Sequence, residues 1–156
     1  MFGIFKKKRK LVDLIPNDFV DIHSHLLYGL DDGAKSLADT KSLLAQLQDF
    51  GFKQFITTPH TTPLVWENTY DGIINQYNKV SAEVNMSESN LRVASEYLMD
   101  ESFLKRIQSE KLLTIKDNFV LVEMSYINPP IQLYEIIMEL FTCGYQPILA
   151  HPERYN

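Results

Sequence analysis

Short apolar runs alternate with stretches of helical spacing along this chain. Phe19-Val-Asp-Ile22 opens the pattern as a first strand. Ser36 begins a helix, with Asp39 three residues on as a weaker variant of the reciprocal capping box. Leu43, Leu44, Leu47 and Phe50 recur at helical spacing, and Gly51 stands where a helix stops. Gln54-Phe-Ile-Thr57 reads as a second strand, and Ile73, Tyr77, Val80 and Val84 mark the face of a second helix. Leu91-Arg-Val-Ala94 is a third strand, followed by a short helix from Glu101 to Ser109. Phe119-Val-Leu-Val-Glu123 is the clearest strand of all. Pro129-Pro130 leads into a helix carrying Ile131, Tyr134, Ile137, Met138 and Phe141, ended by Gly144. Pro147-Ile-Leu-Ala150 is the last strand.

Strand–helix alternation predicts an α/β fold with parallel sheet and helical crossovers. The runs at Phe119 and Pro147 read as buried, as a parallel sheet covered on both faces requires. Thr61 to Thr69, with Pro63 and Trp66, predicts a long loop beside whatever site exists. No linker, low-complexity tract or repeat is visible in residues 19–156.

Composition adds little to that picture. The 156 residues, 45% hydrophobic and 22% charged, suffice for one domain with a real core. A net charge of −5 argues against a nucleic-acid binder. Cys143 is the single cysteine, so there is no disulfide framework, which fits a reducing compartment and an expected cytoplasmic location. Cys143 itself, in the last turn of a helix, reads as a small buried filler. Residues 1–18 read as a basic tail. Its apolar start is too short for a signal peptide, and the charges Lys6, Lys7, Lys8, Arg9 and Lys10 follow it. A solvated tail and a peripheral contact with an anionic membrane are both open to it.

The candidate chemistry sits at strand ends. His23, His25, His60 and His151 each follow a predicted strand end directly or within three residues. That is where α/β folds place their chemistry. In extended backbone His23 and His25 point to one side and can share an ion, although such a pair can also be packed core. From Asp31-Asp32-Gly33 a carboxylate can turn back on them, where a plain turn is the alternative. Glu96 and Glu123 also close strands, and a carboxylate buried there is costly unless it is paired or binds a cation. Seven nitrogen and oxygen groups without thiolate suit two or more ions of the Mn²⁺, Fe, Zn²⁺ or Co²⁺ kind. Paired metals suit phosphoester hydrolysis. Arg154 adds a planar fork matched to phosphate, or else a surface salt bridge. Arg154 lies beyond the next strand from Cys143, so a cysteine-nucleophile phosphate loop is absent, as are a serine-hydrolase elbow and a Gly-rich phosphate loop.

Five segments in order carry a resemblance: Asp21-Ile-His-Ser-His25, Gly29-Leu-Asp-Asp-Gly-Ala34, Thr57-Thr-Pro-His60, Leu121-Val-Glu123 and Ala150-His-Pro-Glu-Arg-Tyr155. Over residues 19–156 the chain resembles the bacterial capsule-biosynthesis tyrosine phosphatases of the polymerase-and-histidinol-phosphatase (PHP) superfamily. The resemblance implies a distorted, TIM-like (β/α)7 barrel, of which about five strands are present here. It implies two to three divalent ions, Mn²⁺ foremost, on His23, His25, Asp32, His60, Glu96, Glu123 and His151. It implies Arg154 as the phosphate-binding residue, a metal-bound hydroxide as nucleophile, and the phosphotyrosine tail of a membrane-bound capsule kinase as substrate.

The chain departs from that family by stopping at Asn156, before the family's late aspartate and histidine ligands. The expectation is a C-terminally truncated, incomplete domain with weak or absent activity and an open sheet edge that invites self-association. A non-catalytic metal-binding remnant and a PHP phosphoesterase of another substrate stay open as alternatives.

Overall fold

The computed structural model describes residues 9–16, 18–87 and 90–155. Lys6, Lys7 and Lys8 lie outside them, while Arg9 and Lys10 are exposed and precede a short 3-10 turn, Leu11–Asp13. No helix among the described residues is long and apolar enough to cross a membrane.

The chain then runs β1 (Val20–Ser24), α1 (Leu37–Asp49), β2 (Gln54–Thr57), β3 (His60–Thr61), α2 (Tyr70–Val84), β4 (Leu91–Val93), β5 (Glu96–Leu98), α3 (Glu101–Ser109), β6 (Phe119–Glu123), α4 (Leu133–Thr142) and β7 (Gln146–Leu149). All named strand pairings are parallel, in the orders β1-β2-β4 and β3-β5-β6-β7. β2 and β3 are halves of one strand path broken at Thr58-Pro59, where proline has no N–H to give a ladder. β4 and β5 are likewise one path, broken at Ala94-Ser95. The seven strands therefore trace the five strand paths legible in the sequence.

Helix ends follow their side chains. Ser36 Oγ caps α1 by accepting Asp39 N–H at 3.2 Å. The Asp39 carboxylate reaches back to Lys35 N–H at 3.1 Å, one residue short of a true capping box. Thr69 and Asp100 cap α2 and α3 in the same way. Gly51 and Gly144, at φ +105° and +82°, follow α1 and α4 in conformations that side chains rarely adopt.

Burial corrects four readings. On α1 the buried positions are Leu44 and Thr40, whose hydroxyl donates to Leu26 O at 2.7 Å, while Phe50 is exposed. On α4 the core side is Ile136 and Leu140, packed with Phe103 and Ile107 of α3, so Tyr134, Met138 and Phe141 face outward; the helix begins only at Leu133, and Ile131 lies exposed ahead of it. Cys143 is exposed and is not a buried filler: it is the cap residue past the last turn of α4, outside the cluster that buries Ile136 and Leu140. β6 is buried as expected, but β7 is only half-buried, since it pairs with β6 alone.

Candidate metal centre

The C-terminal ends of the strand paths converge on one cavity of about 760 Å³. His23, His25, Asp32, His60, Glu96, Glu123, His151 and Arg154, all expected from the sequence, line it together. Glu96 is the hub, with a fully buried side chain. His23 Nε2 lies 3.4 Å and His151 Nε2 2.9 Å from Glu96 Oε1. His25 Nε2 lies 3.4 Å and His60 Nδ1 3.1 Å from Glu96 Oε2. His60 Nδ1 is also 3.0 Å from Glu123 Oε1.

Short distance is not alignment here. Glu96 Oε2 and His60 Nδ1 are buried and neither has a hydrogen-bond partner of proper geometry. They face a shared space more than each other, as ligands of one cation do. The groups His23–Glu96–His151 and His25–His60–Glu96 each place three ligand atoms within 4.8 Å of one another, as do His25, Asp31 and Asp32. Imidazole and carboxylate without thiolate is a donor set that fits a borderline or hard divalent ion.

For His23, His25 and His151 the ring nitrogen turned away from Glu96 meets a partner from elsewhere in the chain. His25 Nδ1 is 2.6 Å from Asp31 Oδ2, and His23 Nδ1 is 2.7 Å from Thr58 Oγ1. Asp31 Oδ2 also accepts His60 N–H at 2.9 Å, so one carboxylate aligns two of the histidine-bearing segments. Asp31, not Asp32, is therefore the acid that turns back on His25. Asp32 stays at the rim with a 63% exposed side chain, its Oδ1 3.8 Å from His60 Nε2. The role of Asp31 was readable only as one of two adjacent acids before Gly33. Outer partners of this kind orient ligand imidazoles and raise their basicity.

The charges are mutually dependent. Burial disfavours the charged form of His25, but its bond to Asp31 and the Glu96 carboxylate outweigh that and raise its pKa to about 10. Burial likewise opposes charge on His60, yet the Glu123 and Glu96 carboxylates raise its pKa. For His23 burial wins and the pKa falls. Burial pushes Glu96 and Asp31 up, but their histidine partners leave both below the usual carboxylate range.

Gly33 makes the arrangement fit. A Cβ there would sit 2.4 Å from both His25 Cβ and His25 O. Gly33→Ala is expected to cost about 1–3 kcal/mol in overpacking and to displace the His25 ring, seen as a lower urea midpoint together with weaker Mn²⁺ uptake.

Aromatic side chains frame the cavity. Trp66, on the expected loop, stacks on His60 at 4.7 Å and 9°. On the other side Arg154 Nη1 donates to Tyr126 Oη at 3.0 Å. Tyr126 escaped the sequence analysis, and Tyr155 entered it only as the end of the Ala150–Tyr155 segment, without a role, since a loop tyrosine carries no spacing signal. His151 itself stands at φ +30°, a left-handed turn directly after β7.

Fold and cluster together define a parallel α/β protein with a histidine–carboxylate centre of metal-binding type at its strand ends. The sequence model of the family described as capsular polysaccharide synthesis, CpsB/CapC, matches residues 19–156, and the chain belongs to that family. It is similar to CapC of Staphylococcus aureus, with 30% identity over 86% of this chain and 54% of that protein. It is also similar to the tyrosine-protein phosphatase CpsB of Streptococcus pneumoniae, with 26% identity over 88% of this chain and 58% of the relative. Solved structures of YwqE from Bacillus subtilis and that CpsB, described as unique metal-dependent tyrosine phosphatases, share the fold. The match has a TM-score of 0.76 and 25% identity over 88% of this chain and 57% of the solved one. The chain spans a little over half the length of these relatives.

Proposed function

We propose that this chain binds divalent metal ions, Mn²⁺ first among them, and hydrolyses phosphotyrosine in proteins. The observation that carries this reading is the convergence of His23, His25, His60 and His151 on a fully buried Glu96 within 3.4 Å. His23, Glu96 and His151 would hold one ion, and His25, His60 and Glu96 another, with Glu123 and Asp32 beside them. Such ions supply Lewis acidity to phosphoryl oxygens and acidify bound water.

Arg154 would hold the phosphate, its guanidinium already oriented at the cavity wall by Tyr126. Residues 19–156 are the metallophosphatase portion, preceded by the basic tail. The substrate is the phosphorylated tail of a capsule tyrosine kinase, met in the cytoplasm, with Lys6 to Lys10 touching the membrane surface and copies of the chain able to self-associate.

The test is turnover of a phosphotyrosine peptide by the 156-residue chain with Mn²⁺, against histidinol phosphate and a nucleic-acid 3′-phosphate. Release of phosphate from the peptide, lost with chelator and in His25→Ala, supports the proposal. Mn²⁺ uptake without turnover of any substrate supports a metal-binding, non-catalytic chain instead. Preference for either other phosphate moves the substrate class.

A further inference from the structure

We propose that Tyr155 is a positioning residue for the metal cluster: its hydroxyl, anchored on Met124 N–H, holds His151 so that Nε2 faces Glu96. This rests on the metal-binding reading above.

His151 has φ +30°, in the left-handed region that few non-glycine residues adopt, so the contacts of the turn that follows help to aim its ring. Arg154 N–H bonds to His151 O at 3.0 Å and Tyr155 N–H to Pro152 O at 3.3 Å, which brings Tyr155 back over the histidine. Tyr155 Oη then accepts Met124 N–H at 3.0 Å and lies 3.2 Å from His151 Nδ1. Met124 directly follows Glu123, so one hydroxyl joins the end of β6, which carries Glu123, to the turn after β7, which carries His151. The Tyr155 ring is seated on Tyr126, with centroids 5.9 Å apart at 24°.

The chemistry of a hydroxyl suits both states of the site. Facing a carboxylate at 2.9 Å, His151 Nε2 must donate, and Nδ1 of the neutral ring then accepts the Tyr155 O–H. With a cation on Nε2, Nδ1 carries the hydrogen and donates to the same oxygen. A hydroxyl can reverse its direction, whereas the Asp31 carboxylate that holds His25 can only accept. Tyr155 therefore does at His151 what Asp31 does at His25, by a reversible bond.

The test compares Mn²⁺ binding by calorimetry in wild type, Tyr155→Phe and Tyr145→Phe. Tyr145 Oη accepts a backbone N–H, that of Leu112, at 3.2 Å, so its loss is a matched structural control away from the cluster. Expected is a weakening of about 10–100-fold in Tyr155→Phe, the range for outer partners of metal ligands, with Tyr145→Phe like wild type. Equal affinity in Tyr155→Phe and wild type would overturn the inference and leave the metal reading standing. Wild type that takes up no Mn²⁺ would overturn both. If Tyr155→Phe does not fold, ring ¹⁵N spectra of Zn²⁺-loaded wild type decide. Coordination of His151 through Nε2 with Nδ1 protonated supports the inference, and coordination through Nδ1 defeats it.

Discussion

Glu96→Gln is expected to abolish most divalent-ion binding, weakening Mn²⁺ affinity by more than the 10–100-fold typical of outer partners. Glu96 belongs to both three-residue groups that include His23 or His60. Its Oε1 faces His23 and His151, and its Oε2 faces His25 and His60. The amide keeps the volume but removes the one negative charge that both groups share. It also aims an N–H pair at ring nitrogens that should be acceptors toward a cation. Exposed Glu153, within the turn Pro152–Arg154 but not part of the cavity lining, serves as the control, and Glu153→Gln should bind Mn²⁺ as wild type does. Calorimetric titration measures both, and near-normal binding by Glu96→Gln would remove the cluster from consideration as a metal centre.

Held in chelator, the ion-free chain should lose stability as pH rises from 7 to 9. Folded His25 keeps its proton to about pH 10, while in the unfolded chain it releases it near 6.5. Its contribution is therefore complete below 6.5 and disappears as pH climbs through 10. Within that window the loss is about 1.4 kcal/mol per pH unit, or roughly 3 kcal/mol from pH 7 to 9. His60, also raised, acts with the same sign. Asp31 and Glu96, both lowered, contribute above the ordinary carboxylate range and lose that contribution on acidification. His23, lowered by burial, likewise disfavours folding below pH 6.5. Urea midpoints in EDTA at pH 7 and 9 should fall for wild type and change less in Asp31→Asn, which lacks the charge that most directly holds the His25 proton. A wild-type midpoint that rises across this interval would refute the coupling. Because a bound ion must displace the same proton, Mn²⁺ affinity should increase over the same range.

Much of the architecture was legible because its signals are local. Ser36, Gly51 and Gly144 mark helix ends through their own hydrogen bonds or backbone angles. β6 announces itself by Val120, Leu121 and Val122, all nearly inaccessible, because a strand covered on both faces has no polar side to show. β7 misled for the opposite reason. Its apolar residues resemble those of β6, but its partial exposure depends on having one paired neighbour, which no residue in it encodes. The outward-facing apolar residues of α4 misled in the same way, since helical spacing reveals a stripe without saying which stripe meets α3.

The sequence by itself singled out the side chains that gather at the site: four imidazoles, Glu96, Glu123 and Arg154, each carried on or beside a strand path. Only the tertiary structure decided how they meet. It made Glu96 the shared centre, chose Asp31 over Asp32 to hold His25, and brought Tyr155 onto both Met124 and His151. The physical reason is distance along the chain. Strand ends are set by neighbouring residues, but a contact such as His151 to Glu96, 55 residues apart, exists only once parallel pairing has aligned the strands in space.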